Sequence, residues 1–122
     1  MKQTFTNNSI YSLASSQEFL DFKSYIPAKA NFAIQKNFAV LAAAAREIEE
    51  ARLAVAKHYG VLDENGSKYT IPEDKIEIVS QEIADLLNDT QELDIRMIKV
   101  EDLGNAEFTP AQMQMIMFMI ED

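Results

Sequence analysis

The longest regular pattern in the chain runs from Ala28 to Tyr59. Ile34, Phe38, Leu41, Ala45, Ile48, Val55 and Tyr59 recur at steps of three and four, and Arg52 holds the one stripe position that is not apolar. Such spacing predicts a single amphipathic helix. The run Ala42–Ala45, with Ala51, Ala54 and Ala56, adds helix propensity and a narrow profile on which a neighbouring helix can lie close. Arg46 and Glu50 form an i,i+4 pair, and Lys57 sits at the negative end of the helix dipole. At 1.5 Å per residue the helix reaches about 48 Å, longer than a compact domain of this size needs. It therefore either bends or packs part of its length against another chain, with Ala44 and Ala51 as candidate seam positions.

The flanking patterns are shorter. Residues 1–8 are polar and read as extended or disordered, and a short helix is predicted over roughly 9–24, with a break near Ser15. Ser15 and Glu18 have capping-box spacing, and Phe19, Leu20 and Phe22 are core candidates. Pro27 marks a boundary, because the residue before a proline is biased away from helix. Gly60 stands where a helix C′ glycine is expected. "VL" and "KYTI" around "DENGS" predict a hairpin near 61–71. Pro72 opens the next helix, with Asp74 and Glu77 at capping spacing and Ile76, Val79, Ile83, Leu86 and Leu87 as its buried face. Alternation of Leu93, Ile95 and Met97 with Asp94 and Arg96 predicts a half-buried strand near 92–99, paired with the hairpin. Thr109, Pro110 and Gln112 are the cap, first position and capping-box partner of a final helix. Together these elements predict a single helix-dominated α+β domain over 1–122, with a long central helix and a small antiparallel sheet.

In the final helix four of the six methionines, Met113, Met115, Met117 and Met119, stand among Ile116, Phe118 and Ile120. Apolar residues on nearly every side suit either the centre of a core or a surface covered by a partner. Met113, Met115, Met117, Phe118 and Met119 join Ala44 and Ala51 as candidate interface residues.

Charge changes the picture along the chain. Residues 1–60 carry seven Lys/Arg against five Asp/Glu, whereas residues 61–122 carry four against fifteen. The acidic half argues against direct nucleic-acid binding, which needs a basic footprint. It leaves a solvated acidic face, attraction to a basic partner, or head-to-tail attraction between copies. No segment approaches the roughly 20 apolar residues of a membrane span, and the first residues lack a signal-peptide pattern. The expected location is the cytoplasm of the producing cell.

Candidate chemistry is sparse. With no cysteine there are no disulfides, thiolate nucleophiles or Cys-ligated metals. Anchoring a calcium loop on Gly66 puts Val61 at position one and Pro72 at position twelve, so two defining ligands are wrong. Asp63, Glu64 and Asn65 before that glycine read as a turn. His58 is the only histidine, with no nucleophile motif beside it, and Glu47, Glu49 and Glu50 lack a Glu-x-x-His pairing. Three glycines build no phosphate loop. These patterns predict no cofactor, no metal and no catalytic residues.

Four blocks, "IPAKANFAIQKN" (Ile26–Asn37), "EEARLAVAKHYGVLDENG" (Glu49–Gly66), "LDIRMIKVEDL" (Leu93–Leu103) and "FTPAQMQMIMFMIED" (Phe108–Asp122), follow one another in a set order. In that order the chain resembles small uncharacterised proteins of tailed bacteriophages and prophages. The resemblance implies phage origin, a helical fold with a small sheet, and no catalytic residues. The expectation is a phage or prophage protein in the bacterial host or the virion, acting by contact with further copies of itself or with phage structural proteins. The alternatives are an early effector that mimics nucleic acid to occupy a basic host or defence protein, and an enzyme built on His58 and nearby carboxylates.

Overall fold

The polar first residues form a strand, β1 (Lys2–Thr6), which passes directly into helix α1 (Asn7–Ser15). Thr6 makes the junction: its backbone is extended, and its hydroxyl oxygen accepts from the Ser9 amide at 3.1 Å, capping the helix. The computed structural model describes residues 1–16 and 24–121. Phe19, Leu20 and Phe22, and the Glu18 half of the expected capping box, lie outside the described residues.

Helix α2 (Ala28–Tyr59) has the bounds its periodicity predicts. Its buried residues are Ala30, Ala33, Ile34, Asn37, Phe38, Leu41, Ala44 and Ile48, which share one face. Beyond Ile48 nothing on α2 is buried: Arg52 is exposed, and Val55 and Tyr59 are half-buried. The apolar stripe therefore outlasts the core it was expected to serve.

An antiparallel hairpin follows, β2 (Val61–Leu62) and β3 (Tyr69–Thr70), with Val61 opposite Thr70. Gly60 enters it in extended conformation, φ −85°, rather than as a left-handed cap. Glycine is needed there because a Cβ would collide with the Ala56 carbonyl oxygen. In the loop, Gly66 has φ +70°, the left-handed geometry the turn requires.

A 3₁₀ turn (Glu73–Lys75) leads into α3 (Ile76–Asn88). The expected Asp74–Glu77 capping box does not form; Pro72 starts the turn and no side chain caps either segment. The expected buried face of α3 is also incomplete. Leu86 and Leu87 pack against the core, Val79 and Ile83 are half-buried, and Ile76 is 51% exposed.

The strand expected over 92–99 is two strands, β4 (Thr90–Asp94) and β5 (Ile98–Lys99), and neither pairs with the hairpin. β4 runs antiparallel to β1, with Gln3 opposite Leu93 and Phe5 opposite Gln91, so half-buried residues share a face. The interruption falls where the Asn37 side chain replaces a strand partner. Its Nδ2 donates to the Arg96 carbonyl at 2.9 Å, and its Oδ1 accepts from the Arg96 amide at 2.8 Å.

After a second 3₁₀ turn (Val100–Leu103) comes α4 (Pro110–Ile116), capped as its sequence predicts. Thr109 Oγ1 accepts from the Gln112 amide at 3.1 Å, and Gln112 Oε1 accepts from the Thr109 amide at 3.0 Å. The helix is shorter than expected. A 3₁₀ turn (Met117–Met119) tightens its end, and β6 (Ile120–Glu121) pairs in parallel with β5. The turn sets Phe118 edge-on to Phe5 and Phe38, at centroid distances of 5.8 and 6.1 Å.

The fold is helix-dominated α+β with a long central helix, and among the described residues its strands form three two-stranded sheets rather than one. Ile10, Leu41, Ile95, Ile98, Ile116 and Met119 are fully buried, and the core gathers around the N-terminal half of α2. No helix among the described residues is long and apolar enough to cross a membrane.

Candidate interaction surfaces

Because the core ends at Ile48, the last turns of α2 carry the hairpin and the start of α3 away from it. Around this distal end Leu53, Val61, Leu62, Tyr69, Ile76 and Ile78 each expose between 41 and 61% of their surface. Between α2, the hairpin and α3 lies a groove of about 440 Å³, walled by Leu53, Ala56, Tyr69, Ile71, Val79 and Ile83. Six large apolar side chains so placed differ from the scattered exposed residues of an ordinary surface.

Two polar devices hold this end in place. Glu49 accepts from the Tyr11 hydroxyl at 2.9 Å, and Arg52 grips the same carboxylate through Nε at 3.1 Å and a terminal nitrogen at 2.7 Å. Arg52 and then Tyr11 hold the Glu49 carboxyl below its ordinary range, while the Glu49 carboxylate pushes the Tyr11 phenol up. Arg52 thus interrupts the stripe to tie α2 to α1 through a carboxylate. Farther out, the Glu82 carboxylate raises the Tyr59 phenol, linking the end of α2 to α3.

The acidic loop Asp63–Gly66 is a turn. Asp63 accepts from the Ser67 amide at 3.0 Å and from its hydroxyl at 3.2 Å, and the amide contact holds the carboxyl below its usual range. His58 is exposed and lies edge-on to Tyr59, 4.6 Å between centroids. Among the described residues no three His, Asp or Glu side chains converge as a metal site requires.

The candidate interface residues separate. Met115, Met119 and Ala44 are buried within the chain, and Met113 and Phe118 pack against the same core. The Met119 sulfur accepts from Asn37 Nδ2 at 3.3 Å. These five serve the interior, since the short α4 and its tight turn fold back onto β1 and α2. Only Met117, 59% exposed, and Ala51 face outward.

A second surface has no counterpart in the sequence reading. Phe32 is 53% exposed near the start of α2, with Lys36 Nζ 5.5 Å and the Arg96 guanidinium 5.2 Å from its ring centroid. Lys29 is one turn before Phe32 on the same helix face. The signal was an aromatic residue off the apolar stripe with lysines at i−3 and i+4. Beside it lies a hollow of about 660 Å³, lined by Lys36, Asn37, Asp94, Arg96 and Glu121 among others. Asn37 is engaged by Arg96, and Asp94 by the Met1 amino group at 3.0 Å, which lowers the carboxyl.

No protein-family model, curated protein or solved structure matches the chain.

Proposed function

We propose that the chain is a phage or prophage protein that works by protein–protein contact, associating with further copies of itself through its distal end, in the host cytoplasm or the virion. The observation that carries this reading is the concentration of exposed Leu53, Val61, Leu62, Tyr69, Ile76 and Ile78 at the distal end, beyond the point where the core stops, with Leu53 and Tyr69 walling a groove there. Burying such side chains is worth roughly 25 cal/mol per Å² of apolar area, and here their burial inside one chain is incomplete. The order of the four sequence blocks supports the phage assignment. Light scattering coupled to size-exclusion chromatography tests the association: mass should rise with concentration, and Ile76→Asp with Ile78→Asp should return it to one chain. A single-chain mass at every concentration rules the reading out.

A further inference from the structure

Four exposed apolar side chains share the groove face of the distal end. Leu53 and Tyr69 wall the groove, and they expose 45% and 41% of their surface. Leu62 stands directly opposite Tyr69 in the hairpin, so both side chains point to the same face. Ile76 precedes the groove residue Val79 by three positions on α3 and extends its row by one turn. Leu62 and Ile76 are 47% and 51% exposed. Ile71, Val79 and Ile83, all half-buried, complete the apolar lining. Arg52 and Ser67 also line the groove, but Glu49 and Asp63 engage them. What remains open to a partner is chiefly hydrocarbon.

We propose that this face meets the same face of a second copy across a two-fold axis, so that association closes at two chains. The area selects this occupant. Covering one such side chain fully removes roughly 100 Å² from water, so the groove face offers on the order of 300 Å² of apolar area per copy. Two such faces joined bury about 600 Å², the apolar share of an interface of roughly 1,000 Å², the size from which specific contacts begin. No other segment supplies a match. Among the described residues the remaining exposed large apolar side chains, Met1, Tyr25, Phe32, Val100 and Met117, each stand on a different segment. Phe32 is in addition faced by Lys36 and Arg96. A head-to-tail contact seating one of these would leave most of the groove face against polar surface. An isologous contact uses one patch twice, and so leaves no second surface from which a ring or filament could grow. This inference rests on the self-association proposed above and adds what the groove face meets and where assembly stops.

Mixing a face-disrupted variant with wild type tests it. The variant carries Leu53→Asp and Ile76→Asp, both at exposed positions, and Leu62→Asp replaces it if its circular dichroism melt departs from that of wild type. A dye on Met117→Cys marks the variant alone, since the chain has no cysteine of its own. In sedimentation velocity the wild-type mass should rise with concentration and level off at two chains. The labelled variant should sediment as a single chain even in excess wild type, because a two-fold contact needs both faces intact. In a head-to-tail assembly the variant keeps its other face and is carried along with wild type. Co-sedimentation of the labelled variant, or growth of wild type beyond two chains, overturns the inference and leaves distal association standing. A wild-type protein that stays a single chain throughout overturns both.

Discussion

Asn37 sits among apolar neighbours on the buried face of α2, and its amide satisfies both backbone groups of Arg96. Replacing it with leucine keeps the branching at Cγ but leaves the part-buried N–H and C=O of Arg96 without their side-chain partner. Asn37→Leu should destabilise the chain by about 2–4 kcal/mol, read from urea denaturation. Asn7 has a similar role at the other junction, donating to the Leu86 carbonyl and accepting from Gln91, each at 2.8 Å. Neither role was legible in the sequence, because the partners lie 59 to 84 positions away and no local spacing announces them. Gly60 was legible as the end of a helix but for the wrong reason: its φ is ordinary, and close approach to the Ala56 carbonyl excludes a side chain. Gly60→Ala should therefore lower stability by about 1–3 kcal/mol by the same assay. Glu49 gives a pH test. Its folded carboxyl is held below the ordinary 4.5, so its contribution is present above that value and is lost as pH falls through the lowered one. Glu49→Gln should weaken the fold at pH 7, and the difference from wild type should shrink as pH falls below 4.5.

At the scale of elements, the helices were readable where caps and periodicity agreed. Ala28–Tyr59 keeps its predicted bounds, and Thr109, Pro110 and Gln112 form the cap their spacing implies. Strand pairing was not readable, because alternation in Leu93–Met97 selects a face and not a partner. The partner was the polar N-terminal strand, and the hairpin pairs only with itself. Periodicity also overstated burial. The stripe continues past Ile48 and along α3, yet the elements available there leave it half covered. The two ends should therefore differ energetically. Leu41→Ala or Ile116→Ala, both fully buried, should cost about 2–5 kcal/mol, whereas Ile78→Ala should change stability in dilute solution by under about 1 kcal/mol.

At the scale of the whole molecule, the charge asymmetry acquires a geometry. Lys29 and Lys36 of the near-neutral half and Arg96 of the acidic half surround Phe32 near one end of a helix of about 48 Å, and the hairpin and the start of α3 lie at the other. Any electrostatic part of the association should weaken as salt shortens the screening length from about 10 Å at 0.1 M toward 3 Å at 1 M. The distal groove adds an apolar component that salt does not remove. A distal end that is incomplete alone and completed by another copy should also open more readily when the chain is dilute. Amide hydrogen exchange, followed by mass spectrometry across a dilution series, locates that completion directly. Peptides covering 61–85 should gain protection as concentration rises, while those covering the core around Leu41 and Ile95 stay unchanged; exchange over 61–85 that is independent of concentration would contradict it.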